Sequence, residues 1–74
     1  MTVGQSLKKV RKNFSITQKQ VAEKAKLSYR SYQEYEGDRS VPPVTAIMAL
    51  ADFFNVSTDY LLGRTDVPQV ARGA

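Results

Sequence analysis

Apolar residues recur at spacings of three and four along most of the chain and nowhere alternate for long. Val3, Leu7, Val10 and Phe14 share one face of a helix expected from about Val3 to Asn13, with Lys8, Lys9, Arg11 and Lys12 on the remaining surface. A second helix starts at Thr17. In Thr17-Gln18-Lys19-Gln20 the threonine hydroxyl can accept from a free backbone N–H while Gln20 reaches back, the pattern of a capping box. Ile16 before it and Val21 within it can form a hydrophobic staple. Val21, Ala22 and Ala25 give the inner face, and the two small alanines let a neighbouring helix come close. The next start signal, Ser28, follows only three residues after Ala25, with Leu27 anchoring the turn in the core.

The third helix reads YRSYQEYE, with Tyr32 and Tyr35 facing inward. Gly37 offers a left-handed cap, and Pro42-Pro43 forbid continuation. VTAIMALADFF is the fourth helix, with Val44, Ile47, Met48, Leu50, Ala51 and Phe54 forming a broad apolar face. A fifth opens on Ser57, carries Asp59 in its first turn and closes at Gly63 after Tyr60, Leu61 and Leu62. β-Branched residues are scattered, so the expected fold is all-α, with five helices and no sheet. Beyond Arg64, TDVPQVARGA has no periodicity. Residues 1–65 are therefore expected to form one domain, and 66–74 a flexible C-terminal tail or linker.

Composition narrows the function. At 74 residues the chain supports a modest core. Its lack of cysteine and histidine excludes disulfides and Cys/His zinc sites, along with the commonest general base and the best nucleophile. No glycine-rich phosphate loop, metal-ligand cluster or nucleophile–base set is present, so the sequence points to no enzyme, cofactor, metal or small-molecule ligand. No apolar run approaches the roughly 20 residues of a membrane helix, and MTVGQSLKKV lacks a signal peptide's apolar core. The expected location is cytoplasmic. Eleven Lys and Arg against seven Asp and Glu give a net charge of +4. That balance favours an anionic partner, and nucleic acid over membrane, because no basic helix has an aromatic face.

Two helices joined by a turn of three to four residues make a helix-turn-helix. The major groove of DNA, about 12 Å wide, admits one α-helix with its side chains. A helix entering it must stand proud of the protein while its back is buried, a task that falls to Tyr32 and Tyr35. The stretch LKKVRKNFSITQKQVAEKAKLSYRSYQEYEGDRSVPPVTAIMALADFFNVSTDYLLG resembles the phage-repressor/Cro-type (XRE-type, lambda-repressor-like) helix-turn-helix DNA-binding family over about residues 3 to 65. TQKQVAEKA, LSYRSYQEYE and NVSTDYLLG are its most telling pieces. The resemblance implies a compact five-helix lambda-repressor-like bundle with the motif at helices 2 and 3. It also implies a sequence-specific regulator of transcription, a repressor that binds a palindromic operator in double-stranded DNA as a homodimer.

By the same resemblance, Tyr29, Arg30, Ser31, Gln33 and Glu34 occupy base-reading positions. Arg30 suits bidentate contact with guanine and Gln33 suits adenine. Gln18, Lys19, Ser28, Arg39 and Ser40 fall where phosphates are bound, with Gln18 also bracing a side chain of the reading helix. Arg11 and Glu36 match a partly buried ion pair between helix 1 and the end of helix 3. Two residues depart from the family pattern. Lys26 replaces the usual glycine of the turn, which requires positive φ or a different turn, and Asp38 replaces a common glycine in the next loop. Blander readings stay open at single positions: Tyr29 covering the turn, Gln18 as an ordinary first-turn residue, Arg30 as surface charge. Val56, Tyr60 and Leu62 could supply dimer contacts or core. A protein-interaction or antitoxin-like module that retains the fold is the alternative function.

Overall fold

Each of the five helices opens on a hydroxyl side chain or a proline and is followed by a residue in the left-handed conformation. A computed structural model of the chain describes residues 1–68. The elements are α1 (Val3–Asn13), α2 (Gln18–Ala25), α3 (Tyr29–Glu36), α4 (Val44–Phe54) and α5 (Thr58–Leu61). Thr17 and Gln20 form the expected capping box, and Thr2 with Gln5 forms a second one. Ser28 and Ser57 cap α3 and α5 through their hydroxyls, while Pro43 precedes α4. Helix ends leave backbone groups unpaired, so these caps fix where each helix begins.

The stops are unusual in composition. Ser15, Lys26, Asp38 and Asn55 all have φ between 56° and 59°, and Gly63 has φ 77°. At α2 the Leu27 N–H donates to the Ala22 carbonyl at 2.8 Å, and Lys26 itself has φ 59° and ψ 42°. The tight turn therefore forms without glycine, at a steric cost of about 1–2 kcal/mol. After α3 the expectation fails by one residue. Gly37 keeps a negative φ of −86°, and Asp38 makes the left-handed step. Arg39 N–H then closes back on the Glu34 carbonyl at 2.9 Å. Aspartate tolerates that conformation better than most side chains, and here its carboxylate is used at α1.

Leu7, Val21, Tyr32, Leu50, Phe54 and Leu61 are fully buried at the centre, and Ile16, Leu27 and Tyr35 pack against it partly exposed. Tyr35 thus lies at the edge of the core instead of inside it. Phe14 is also only half buried, against the rings of Phe53 and Phe54. The apolar face expected of α4 is too broad. Ile47, Leu50, Ala51 and Phe54 point inward with Ala46, whereas Val44 and Met48 are 74% and 54% exposed. Val56 and Tyr60 are core, and Leu62 is outside. Of the expected tail, residues 69–74 lie outside the described residues. Pro68 accepts from the Ser57 backbone N–H at 3.0 Å. Among the described residues, no helix is long and apolar enough to cross a membrane.

Candidate nucleic-acid interface

The last turn of α3 is tied down by charge. Arg11 donates from Nε to Glu36 Oε2 at 2.7 Å and from Nη2 to Oε1 at 3.0 Å, while Nη1 donates to the Ile16 carbonyl at 3.0 Å. Gln18 adds a bond from Nε2 to Oε1 of the same carboxylate at 3.0 Å. Glu36 thus joins α1, α2 and α3. Its side chain is 3% exposed, and that of Arg11 is 16% exposed. Burial alone would raise the Glu36 carboxyl, but the hydrogen bonds from Arg11 and Gln18, the neighbouring Tyr32 hydroxyl and the Arg11 charge outweigh it and hold the group below its ordinary value. The hydrogen bond to Glu36 raises Arg11 in turn, against its own burial. The Tyr32 hydroxyl lies beside this pair. Burial first, then Glu36, pushes its pKa far up, so it stays protonated. It is close enough to Glu36 to feel the carboxylate, yet it makes no bond of good geometry.

Above this fastening, the outer side of α3 faces away from the protein. Tyr29 is 45% exposed, the Arg30 side chain is 90% exposed, and Gln33 lies one turn beyond Tyr29 and is also exposed. The other two expected base-reading residues are engaged within the protein. Ser31 donates its N–H to the Ser28 hydroxyl, which donates to the Ser31 hydroxyl at 2.7 Å. Glu34 accepts from the Ser40 hydroxyl at 3.0 Å and stands 3.8 Å from the Arg30 guanidinium. That exposed pair is worth under about 1 kcal/mol, but it leaves Glu34 joining the helix to the loop after it.

The expected phosphate-binding residues divide by burial. Gln18 is half buried and braces Glu36, Lys19, Ser28 and Arg39 are exposed, and Ser40 is half buried against Glu34. A cleft of about 810 Å³ opens between α1, α2, α3 and the following loop, lined by Lys8, Arg11, Gln18, Arg30, Gln33, Glu34, Glu36, Gly37 and Arg39. Arg11 neutralises Glu36, so Lys8, Arg30 and Arg39 outnumber Glu34 and leave the cleft positive. The sequence puts Lys8 on a plain solvated face. Its position three residues before Arg11, on the same side of α1, is the signal that places it here.

Asp38 stands out in the sequence only as a backbone irregularity. Its Oδ1 accepts from the Gly4 N–H at 2.9 Å and its Oδ2 from the Thr2 hydroxyl at 2.6 Å. Sequence offers no local sign of a contact spanning more than thirty residues.

The whole arrangement has counterparts. The helix-turn-helix domain family matches residues 4–67. The chain is 39% identical over 67 residues to the HTH-type transcriptional regulator ImmR of Bacillus subtilis, covering 90% of this chain and 53% of that protein. It is 38% identical over 63 residues to the immunity repressor protein of Bacillus phage phi105, covering 85% and 44%. The chain thus spans about half the length of the curated relatives it matches. In fold it is similar to the P22 c2 repressor solved in complex with a synthetic operator, with TM-score 0.82 and 23% identity, covering 88% of this chain and 98% of that one.

Proposed function

This chain belongs to the helix-turn-helix domain family, of the phage-repressor type, and on that premise we propose that it is a sequence-specific double-stranded DNA-binding regulator of transcription, acting as a repressor. The observation that carries the reading is the disposition of α3. Tyr32 and Glu36 bury its back while Tyr29, Arg30 and Gln33 project from its front beside a positive cleft. In the major groove Arg30 donates to guanine O6 and N7, and Gln33 pairs with adenine. Tyr29 meets a sugar or a thymine methyl. The start of α2, with Gln18 and Lys19, and the residues Ser28, Arg39 and Ser40 contact phosphates, which set register without reading sequence. Glu34 and Ser31 contribute mainly by holding Ser40 and the start of α3 in place. Selection of bound duplexes from a random pool tests the proposal. Enrichment of a common sequence is the expected result, and binding to DNA with no preference overturns it.

We further propose that two copies bind a palindromic operator with half-sites roughly 34 Å apart. An apolar groove of about 440 Å³ on α4 and α5, lined by Pro42, Val44, Ile47, Met48, Thr58 and Leu62, supports this reading. The second copy is its occupant, since one module contacts only about 600–1,000 Å² of DNA and gains affinity by pairing. Met48→Asp should abolish cooperative binding to the selected operator while leaving one copy bound per half-site. Unchanged cooperativity would move the dimer contact elsewhere.

A further inference from the structure

Arg39 and Ser40 sit on a loop that α3 alone does not hold. Ser40 is bound to Glu34, and the Arg39 N–H to the Glu34 carbonyl, but both bonds go to α3. A second hold comes from the start of α1. Asp38 accepts from the Gly4 N–H at 2.9 Å and from the Thr2 hydroxyl at 2.6 Å, and that same hydroxyl accepts from the Gln5 N–H at 3.1 Å. The approach is close enough to exclude a side chain on α1. A Cβ built on Gly4 would lie 2.5 Å from the Glu36 carbonyl oxygen and 2.8 Å from the Asp38 carboxylate.

We propose that Asp38, clasped by Thr2 and Gly4 at the start of α1, is a positioning residue for DNA binding that sets where Arg39 and Ser40 meet the phosphates. The inference rests on the proposed phosphate contacts of those two residues. It carries an unusual sign. An acidic side chain next to a DNA-facing loop repels the duplex, so its removal by charge alone would tighten binding. The clasp makes its loss weaken binding instead, because a loop free to leave its bound geometry lowers the apparent affinity by the fraction of time it is misplaced.

Three variants separate these effects. Asp38→Asn loses the charge but keeps an acceptor for Gly4 and a polar group for Thr2, and asparagine tolerates the left-handed backbone. Asp38→Gly loses the same charge and suits the backbone best, but has no clasp. Arg39→Ala removes the phosphate contact itself. Affinity for a labelled mixed-sequence duplex is measured between about 50 and 200 mM salt, below the melting temperature of each variant. Asp38→Asn should bind at least as well as the parent. Asp38→Gly should bind about fivefold more weakly than Asp38→Asn, with its salt slope reduced by up to about one phosphate contact. In an Arg39→Ala background, the gap between Asp38→Gly and Asp38→Asn should shrink to the part carried by Ser40, although any difference in melting temperature between them persists in full. A purely structural role would not produce that shrinkage. If the glycine and asparagine variants bind alike while Arg39→Ala is weakened, the clasp is overturned. If Arg39→Ala binds like the parent, the phosphate role of the loop is overturned instead. Should the glycine variant not fold, Thr2→Val, which removes the bond to Oδ2 together with the cap of α1, is compared with Thr2→Ser, which keeps both, in the parent and in the Arg39→Ala background.

Discussion

Replacing Arg11 by alanine should destabilise the protein more than any exposed substitution would. The change removes three hydrogen bonds, two to Glu36 and one to the Ile16 carbonyl, and leaves a carboxylate that is 3% exposed with the Gln18 amide as its remaining good donor. Stranding one member of a buried pair costs about 3–5 kcal/mol. Arg11 is 16% exposed, so water can reach part of the gap and the lower end of that range, about 3 kcal/mol, applies. A domain of 74 residues holds about 4–11 kcal/mol in all, so the variant remains folded with little reserve. Thermal unfolding followed by far-UV circular dichroism should show a melting temperature lower by more than about 10 °C at neutral pH. Acid gives the sharper check. The folded Glu36 carboxyl lies below its ordinary value of 4.5, so the parent holds this stabilisation above that pH and loses it as pH falls through the lower folded value. Without Arg11 the depression is relieved, and protonation removes the stranded charge. The difference between parent and variant should therefore shrink below about pH 4.5. A melting temperature within about 3 °C of the parent, or a gap that does not change with pH, would refute the reasoning.

Tyr32→Phe should change stability by less than about 1 kcal/mol, because the buried hydroxyl makes no bond of good geometry. A loss above about 2 kcal/mol in urea unfolding would mean that it donates to Glu36 in earnest. Lys26→Gly should raise stability by about 1 kcal/mol by relieving the left-handed turn, less what the more flexible unfolded chain takes back. A lower melting temperature would show that the lysine stem packs on the turn. Arg30→Ala should lose about 1–3 kcal/mol of discrimination at one base pair of the selected sequence, whereas Lys19→Ala should weaken all duplexes alike. A uniform loss for Arg30→Ala would make it a phosphate contact.

The parts of the fold legible in the sequence are those set by short-range chemistry. Thr17 and Gln20, Ser28, and Ser57 announce helix starts through side chains that reach no farther than three residues, and the structure has those starts. Inner faces are legible where the helix is narrow, as with Val21, Ala22 and Ala25. They are not legible on α4, whose residues are almost all apolar. Periodicity cannot say which of Val44, Ala46 and Met48 meets the core when every choice is hydrophobic. The left-handed stop after α3 is displaced by one residue because glycine attracts the assignment, while a contact to α1 favours aspartate there. Gly4 belongs to the same class. Nothing in VGQSLKKV marks it as the point where another chain segment must pass.

That dependence on distant partners bears most on α3. Only Tyr32 and Glu36 are buried along its eight residues, so a single aromatic ring supplies nearly all its deep apolar contact. A surface helix usually settles on its core through a stripe of three or four apolar side chains per two turns. Here the front of the helix is given to polar residues, and the missing adhesion comes from a carboxylate gripped by α1 and α2. Apolar contact would let the helix slide or roll at little cost, since the hydrophobic effect is non-directional. Paired bonds at 2.7 and 3.0 Å fix its rotation as well as its depth. In the proposed complex, rotation decides whether Arg30 points at bases or at phosphate. On that reading the charge at Glu36 acts on specificity as much as on stability, and a substitution there should blur base preference even in the fraction that remains folded.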